Sequence, residues 1–328
     1  MRFSSLAAFK EQLKADLTKV LSAHGYDVKL SEHSVQKVNG VFEGISVTDQ
    51  RYPSVGVAVY PEALYPESED RGYDAVLDCT VETVKESLNR AEEVGKIAEQ
   101  LCNYEYVKNR LFLSIVNTDK NVELLKNVPH FEICDLSVVY RIKVETDNVL
   151  PGGIGSVVVR TDMLNKWGVS EQELKADALR STGVVNPAQI SDMADIIPEM
   201  LRNQFGHNIP EELIGDIPKD VMFVATTESS LFGAAAIAYP GNLEKIAGYV
   251  NDSFWVIPSS IHECIILPDR AGIDPEFAGS LVPRVNAECV KPNEVLSESL
   301  YHYHWEHGLL EIKEDYLARI GKGVVAYA

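Results

Sequence analysis

The chain has 328 residues, of which 45% are hydrophobic and 24% charged, the profile of a globular protein about two average domains long. Its 30 Lys and Arg stand against 49 Asp and Glu, giving a formal net charge of −19. A field of that sign repels phosphate backbones and anionic headgroups, so neither direct nucleic-acid binding nor a membrane-surface role is expected.

Residues 4–23 place Leu6, Phe9, Leu13, Leu17 and Leu21 at helical spacing, with Ser4 or Ser5 at the capping position and Gly25 just past the end. Charges at Lys10, Glu11, Lys14 and Asp16 interrupt this stretch, so no secretion signal is expected. Short runs rich in β-branched and aromatic residues come next, at 26–30, 41–47 and 55–60. They are broken by Asn39-Gly40 and Tyr52-Pro53, as in an antiparallel meander. Residues 80–101 return to helix, with Val84, Leu88, Ala91, Val94 and Ile97 on one stripe. The pattern implies a first unit of helix, sheet and helix over residues 1–127, with a larger α+β unit over 128–328.

A strand at 111–116 and a short helix at 121–125 lead to 131–144, which reads as one long strand. Leu150-Pro151-Gly152-Gly153-Ile154-Gly155 reads as a hairpin turn rather than a phosphate loop, because a β-branched run comes after it where an anion site needs a helix N-terminus. Residues 161–206 are mostly helical in pattern. Beyond them come strands at 221–226 and 232–238, a helix at 242–250, strands at 254–257 and 261–267, a helix at 275–288 and a strand at 299–305. Strands that come as adjacent pairs, with helices grouped between them, point to an α+β fold with mixed or antiparallel sheets.

The longest nearly uncharged run, 229–242, is shorter than the ~20 apolar residues that cross a bilayer, and it contains Gly and Pro. The cysteines, Cys79, Cys102, Cys134, Cys264 and Cys289, are odd in number, scattered and without a CxxC pair. Most sit next to an apolar residue, so they read as buried, reduced thiols of a cytoplasmic protein.

Five blocks carry a family resemblance: Phe42-Glu43-Gly44-Ile45-Ser46-Val47, Val57-Ala58-Val59-Tyr60, Gly233-Ala234-Ala235, Ile257-Pro258-Ser259-Ser260-Ile261-His262-Glu263, and Leu296-Ser297-Glu298 with Tyr301 and Tyr303. Through them the chain resembles an uncharacterised bacterial family, a domain of unknown function typical of Gram-positive gut anaerobes. From Trp167-Gly168-Val169-Ser170 onward it is distantly similar to a second family of unknown function from bacilli. The resemblance implies kinship and brings no activity with it. After Tyr60 the chain departs from that pattern, with Pro61, Pro66 and four carboxylates where a Tyr-rich helix start is expected.

Two clusters hold candidate chemistry. Ser259, Ser260, His262 and Glu263 offer hydroxyl, imidazole and carboxylate within five residues, the groups of a hydrolytic site. Strand neighbours alternate faces, however, and no Gly-x-Ser-x-Gly elbow surrounds either serine, so a turn is the better reading. In the second cluster, an extended 301–307 segment puts His302, His304 and Glu306 on one face, donors that suit zinc or iron. A solvated strand face explains the same alternation. If a metal is held, His262 is the added ligand, provided that strands 261–267 and 299–305 are neighbours. Adjacent carboxylates such as Glu92-Glu93 and Glu211-Glu212, and the Asp192/Asp195 pair, read as solvated surface. With no Walker A, GxGxxG, HExxH or EF-hand pattern, no cofactor is expected.

The acid excess is uneven. Residues 51–100 hold 11 acids and 5 bases, residues 251–300 hold 8 and 3, and residues 1–50 balance at 6 and 6. The expected function is a non-enzymatic interaction or regulatory protein whose acidic surface meets a basic protein partner. The alternative is a hydrolase using His262 with Ser259 or Ser260, or a metal held by His302 and His304. Convergence of those side chains in one pocket favours the enzyme, and dispersal favours the binder. Oligomeric state is left open by the sequence.

Overall fold

In the computed structural model of the chain, which describes residues 2–145, 154–198 and 218–321, the opening periodicity becomes helix α1 (Leu6–Ala23). Ser5 caps it, with Oγ accepting from Ala8 N at 3.3 Å, and Gly25 lies just beyond its end at φ +85°. The fold is α+β with three antiparallel sheets. The chain forms two compact units, Met1–Val107 with Val144–Gly155, and Lys108–Lys143 with Ser156–Ala328.

In the first unit, strands β1 (Val28–Lys37), β2 (Gly40–Asp49) and β3 (Gly56–Val59) form the meander in that order. Asn39, at φ +60°, sits in the turn, where its side chain tolerates the left-handed conformation. β1 runs well beyond the expected segment, because residues 31–37, polar except for Val35, pair along β2 regardless of their hydropathy. Helices α2 (Pro61–Arg71), α3 (Tyr73–Asn89) and α4 (Ala91–Gln100) come next. The single helix expected over 80–101 is therefore two, parted at Arg90, and residues 61–79 are largely helical as well. Pro61 opens α2 at a position where a missing N–H leaves no bond unmade. Phe9, Leu13, Leu17 and Leu21 of α1 pack with Ile45 and Val47 of β2, Val59 of β3, and Tyr73, Val81, Val84 and Leu88 of α3 to make the core.

After the short helix α5 (Tyr104–Val107), the second unit begins at β4 (Leu111–Asn117), succeeded by α6 (Val122–Leu125), β5 (His130–Ile133), β6 (Leu136–Glu145) and β7 (Ile154–Val158). β6 pairs with β4, β5 and β7 in a four-stranded sheet. Residues 108–127 thus belong with this unit, since β4 pairs with β6 along its whole length. The expected strand over 131–144 is in fact the β5–β6 hairpin, with Ile133 opposite Leu136 across a Cys134-Asp135 turn. The Pro-Gly-Gly part of the expected 150–155 turn lies outside the described residues.

Helices α7 (Thr161–Trp167) and α8 (Glu171–Val185) are next, α8 opened by a capping box between Ser170 and Glu173. α8 covers the outer edge of β4: Thr182 Oγ1 accepts from Leu113 N at 3.2 Å, and Ser181 Oγ donates to Leu111 O at 2.7 Å. Then come β8 (Ala188–Asp192), β9 (Phe223–Thr227), α9 (Asn242–Val250), β10 (Phe254–Ile257), β11 (Cys264–Pro268), α10 (Pro275–Cys289), β12 (Tyr301–His304), β13 (Leu309–Ile312) and α11 (Lys313–Gly321). The six strands form one antiparallel sheet in the order β13-β12-β10-β11-β9-β8.

Several expectations change here. Residues 188–192 pair with β9 as a strand rather than starting a helix, and positions 199–206 of that expected helix lie outside the described residues. Residues 233–238, expected as a strand, form a 3-10 turn. A Cβ on Gly233 would stand 2.2 Å from Thr226 Oγ1 and 2.4 Å from His262 O, so this backbone lies flat against its neighbours. β13 and α11 are additions to the expected elements. Among the cysteines, Cys264 alone is buried; Cys79, Cys102, Cys134 and Cys289 are exposed, because an apolar sequence neighbour does not put a side chain on the same face. No described helix is long and apolar enough to cross a membrane.

Candidate functional site

Ser259, Ser260, His262 and Glu263 occupy the turn between β10 and β11. Ser260 Oγ accepts from His262 N at 3.0 Å, and Ser260 N donates to Glu263 O at 3.2 Å, so the serine closes the turn on backbone groups. The His262 ring engages Phe232 instead of a serine. Its Nδ1 accepts from Phe232 N at 3.3 Å, and the two rings stack with centroids 6.0 Å apart. Among the described residues, no hydroxyl of Ser259 or Ser260 bonds to that ring. The four groups are therefore close in space without the nucleophile-to-base contact that activation of a hydroxyl requires.

His302 and His304 do share a face of β12, with ring centroids 6.3 Å apart. Glu306 does not join them: the strand ends at His304, and Trp305–His307 is a 3-10 turn that leaves Glu306 exposed. His307 comes to His304 in its place, stacked at 4.3 Å. His302 is 1% exposed. Its Nε2 donates to Asp269, 3.1 Å from each carboxylate oxygen, and its ring stacks on Tyr316 at 3.9 Å. Burial holds the pKa of His304 below the usual imidazole value, and His307, His302 and Arg319 lower it further. β10 lies between β11 and β12, so the strands expected to bring His262 to His302 are not neighbours. Among the described residues, no three His, Cys, Asp or Glu side chains are grouped to hold a metal ion.

Two arrangements have no counterpart in the sequence motifs. In the second unit, Asp135 in the β5–β6 turn accepts three hydroxyls from the 297–301 segment: Ser297 Oγ at 2.8 Å, Ser299 Oγ at 3.0 Å and Tyr301 OH at 2.5 Å. The Tyr301 hydroxyl is pushed far above its usual pKa by burial and then by the Asp135 charge, so it stays a donor. Here Ser297 of the Leu296-Ser297-Glu298 block, with Ser299 and Tyr301, ties its segment to the β5–β6 turn.

In the first unit, β3 is the outer strand of its sheet, and a groove of about 220 Å³ runs beside it. Val57, Ala58, Val59 and Tyr60 line one wall, Ala63, Leu64 and Glu67 of α2 one end, and Val76, Cys79, Thr80, Thr83 and Val84 of α3 the other wall. Val59, Val76, Thr80 and Val84 are its buried floor, while Ala58, Cys79 and Thr83 are exposed along its mouth. α2 and α3 together carry eight acids, Glu62, Glu67, Glu69, Asp70, Asp74, Asp78, Glu82 and Glu86, against Arg71 and Lys85. Arg71 pairs with Glu67 and Lys85 with Glu82. Of these acids Glu67 lines the groove; by helical spacing Asp70 shares the face of Ala63 and Glu67, and Glu82 and Glu86 neighbour Cys79 and Thr83. The available signal was the 51–100 acid excess next to the Val57–Tyr60 block; what hid the site was that residues 61–79 belong to two helices, α2 and the start of α3.

Neither the curated proteins nor the solved structures contain a significant match. A family model does match, over residues 6–305, and nearly the whole chain, both units included, lies within it. The chain therefore belongs to the family of unknown function DUF5688.

Proposed function

We propose that the protein is a non-enzymatic interaction protein whose first unit docks a basic segment of a protein partner, in extended form, along the outer edge of β3. The supporting observation is a contrast between two edges. α8 covers the edge of β4 with the hydroxyls of Ser181 and Thr182, whereas among the described residues β3 pairs only with β2. An uncovered strand edge is a template for an added strand, and the apolar groove beside it supplies the pocket that such binding uses for specificity. Side chains of an added strand alternate, so apolar residues would enter the groove while Lys or Arg at the intervening positions meet Glu67, Asp70, Glu82 and Glu86.

The test is fluorescence anisotropy of the full chain with a labelled peptide of alternating Val and Lys. Binding is expected to weaken as salt rises, because exposed charges are screened within about 8–10 Å. It is expected to disappear in Thr83→Trp, which fills the groove, and to fall in Glu82→Lys with Glu86→Lys. Equal binding of an alternating Val and Glu peptide, or undiminished binding by a folded Thr83→Trp variant, would overturn the proposal.

A further inference from the structure

Arg141 is the one Lys or Arg that is buried among the described residues, at 7% exposure. It lies on β6 opposite Phe112 of β4. Its Nε donates to Ser114 Oγ at 2.9 Å, its Nη1 donates to Ser156 Oγ at 3.0 Å, and its guanidinium lies 3.7 Å over the ring of Phe232. Two strands and an aromatic face thus hold the plane of the group. Among the described residues no carboxylate pairs with it, although the chain holds 49 acids, and burial alone lowers its pKa, to about 10. Buried charges are ordinarily paired, and removing a guanidinium from water without a counter-charge is costly. The two hydroxyls occupy two of its five N–H donors, which leaves three, on Nη1 and Nη2, for the oxygens of an anion.

A 7% share of Arg141 stays exposed. Phe232 and His262 are half-buried, and the Phe232 ring meets both Arg141 and the imidazole. Since His262 Nδ1 accepts the Phe232 N–H, its Nε2 is the ring nitrogen left to donate. The guanidinium N–H groups left over and the O–H groups of Ser114 and Ser156, whose oxygens accept from Arg141, are all donors. The chain's net charge of −19 opposes anions at long range, but that field is screened within about 8–10 Å, so short-range donors decide affinity.

We propose that Arg141, fixed by Ser114, Ser156 and Phe232, is the anchor of a binding site for a small oxyanion, a carboxylate or phosphate, in the second unit. The site is independent of the β3 groove. It explains why an arginine is kept where an apolar residue would pack without desolvation cost, an arrangement that sacrifices stability for binding.

The experiment is thermal unfolding of the full chain in rising sodium phosphate and, separately, sodium acetate, each against sodium chloride at matched ionic strength. The expected result is a saturable rise in Tm with one of the oxyanions beyond chloride, about 3 °C at tenfold excess over Kd. Phosphate alone or acetate alone identifies the ligand class. In Arg141→Met the oxyanion-dependent rise should vanish while Tm without oxyanion stays equal or increases. Arg141→Lys, which keeps the charge and loses the fork, should lower affinity at least tenfold, and it decides the matter if Arg141→Met does not fold. No rise beyond chloride in the unmodified chain, or the same rise in a folded variant, would overturn the proposal.

Discussion

Replacing Asp135 by Ala removes the acceptor of three hydroxyls at once. Hydrogen bonds to a charged acceptor contribute about 1.5–3 kcal/mol each. They will not all be lost in full, because Ser299 is partly exposed and regains water, whereas Ser297 and Tyr301 are fully buried and leave unmade donors behind. Counting those two gives an expected loss of about 3–6 kcal/mol for Asp135→Ala, and about 1.5–3 kcal/mol for Tyr301→Phe. All three tryptophans, Trp167, Trp255 and Trp305, lie in the second unit, so the fluorescence-detected urea transition reports that unit. Stability changes are read from the shift in midpoint at constant slope. The double variant should lose less than the sum of the singles, since both changes remove the same bond. A loss under about 1 kcal/mol for Asp135→Ala, or strict additivity, would show that the turn is held by packing and not by this hub.

Gly233→Ala should destabilise the second unit by about 1–3 kcal/mol, because the new Cβ meets His262 O at 2.4 Å and Thr227 N at 2.7 Å, backbone atoms that cannot rotate away; an unchanged urea midpoint would refute this. His304 predicts a pH effect. Its folded pKa is depressed below 6.5, so the unfolded chain binds the proton more readily, and stability present above pH 6.5 is lost as pH falls below it. The groups that act on it are His307, His302 and Arg319, which oppose the charge, and Glu306, which favours it. His304→Gln should flatten the decline of the tryptophan-detected midpoint on acidification, and an equally steep decline would exclude His304 as its source.

Much of the chain could be read locally because a helix or strand records its own period. α1, α8, α9 and α10 carry apolar residues at helical spacing behind a Ser or Asp cap or a turn, and Asn39-Gly40 marks the β1–β2 turn. The β5–β6 hairpin was hidden because its turn is Cys134-Asp135, with Cys134 at φ +55°. Those residues lack the Asn-Gly signature of a tight turn, and Asp135 is anchored by residues more than 160 positions away. Residues 232–238 read as a strand for the same kind of reason: their course depends on how closely Gly233 lies against Thr226 and His262.

The candidate sites divide along the same line. Sequence alone determined the acid excess, the α+β class, the family blocks and the residue types available for chemistry, all properties of composition or of short-range period. Which of those residues meet was decided by strand order and helix packing. β10 separates His262 from His302, the 3-10 turn withdraws Glu306, α8 covers β4 while β3 pairs on one side only, and Arg141 is buried without a paired acid among the described residues. Each is a relation between segments far apart in the chain, and no local pattern of residues encodes such a distance.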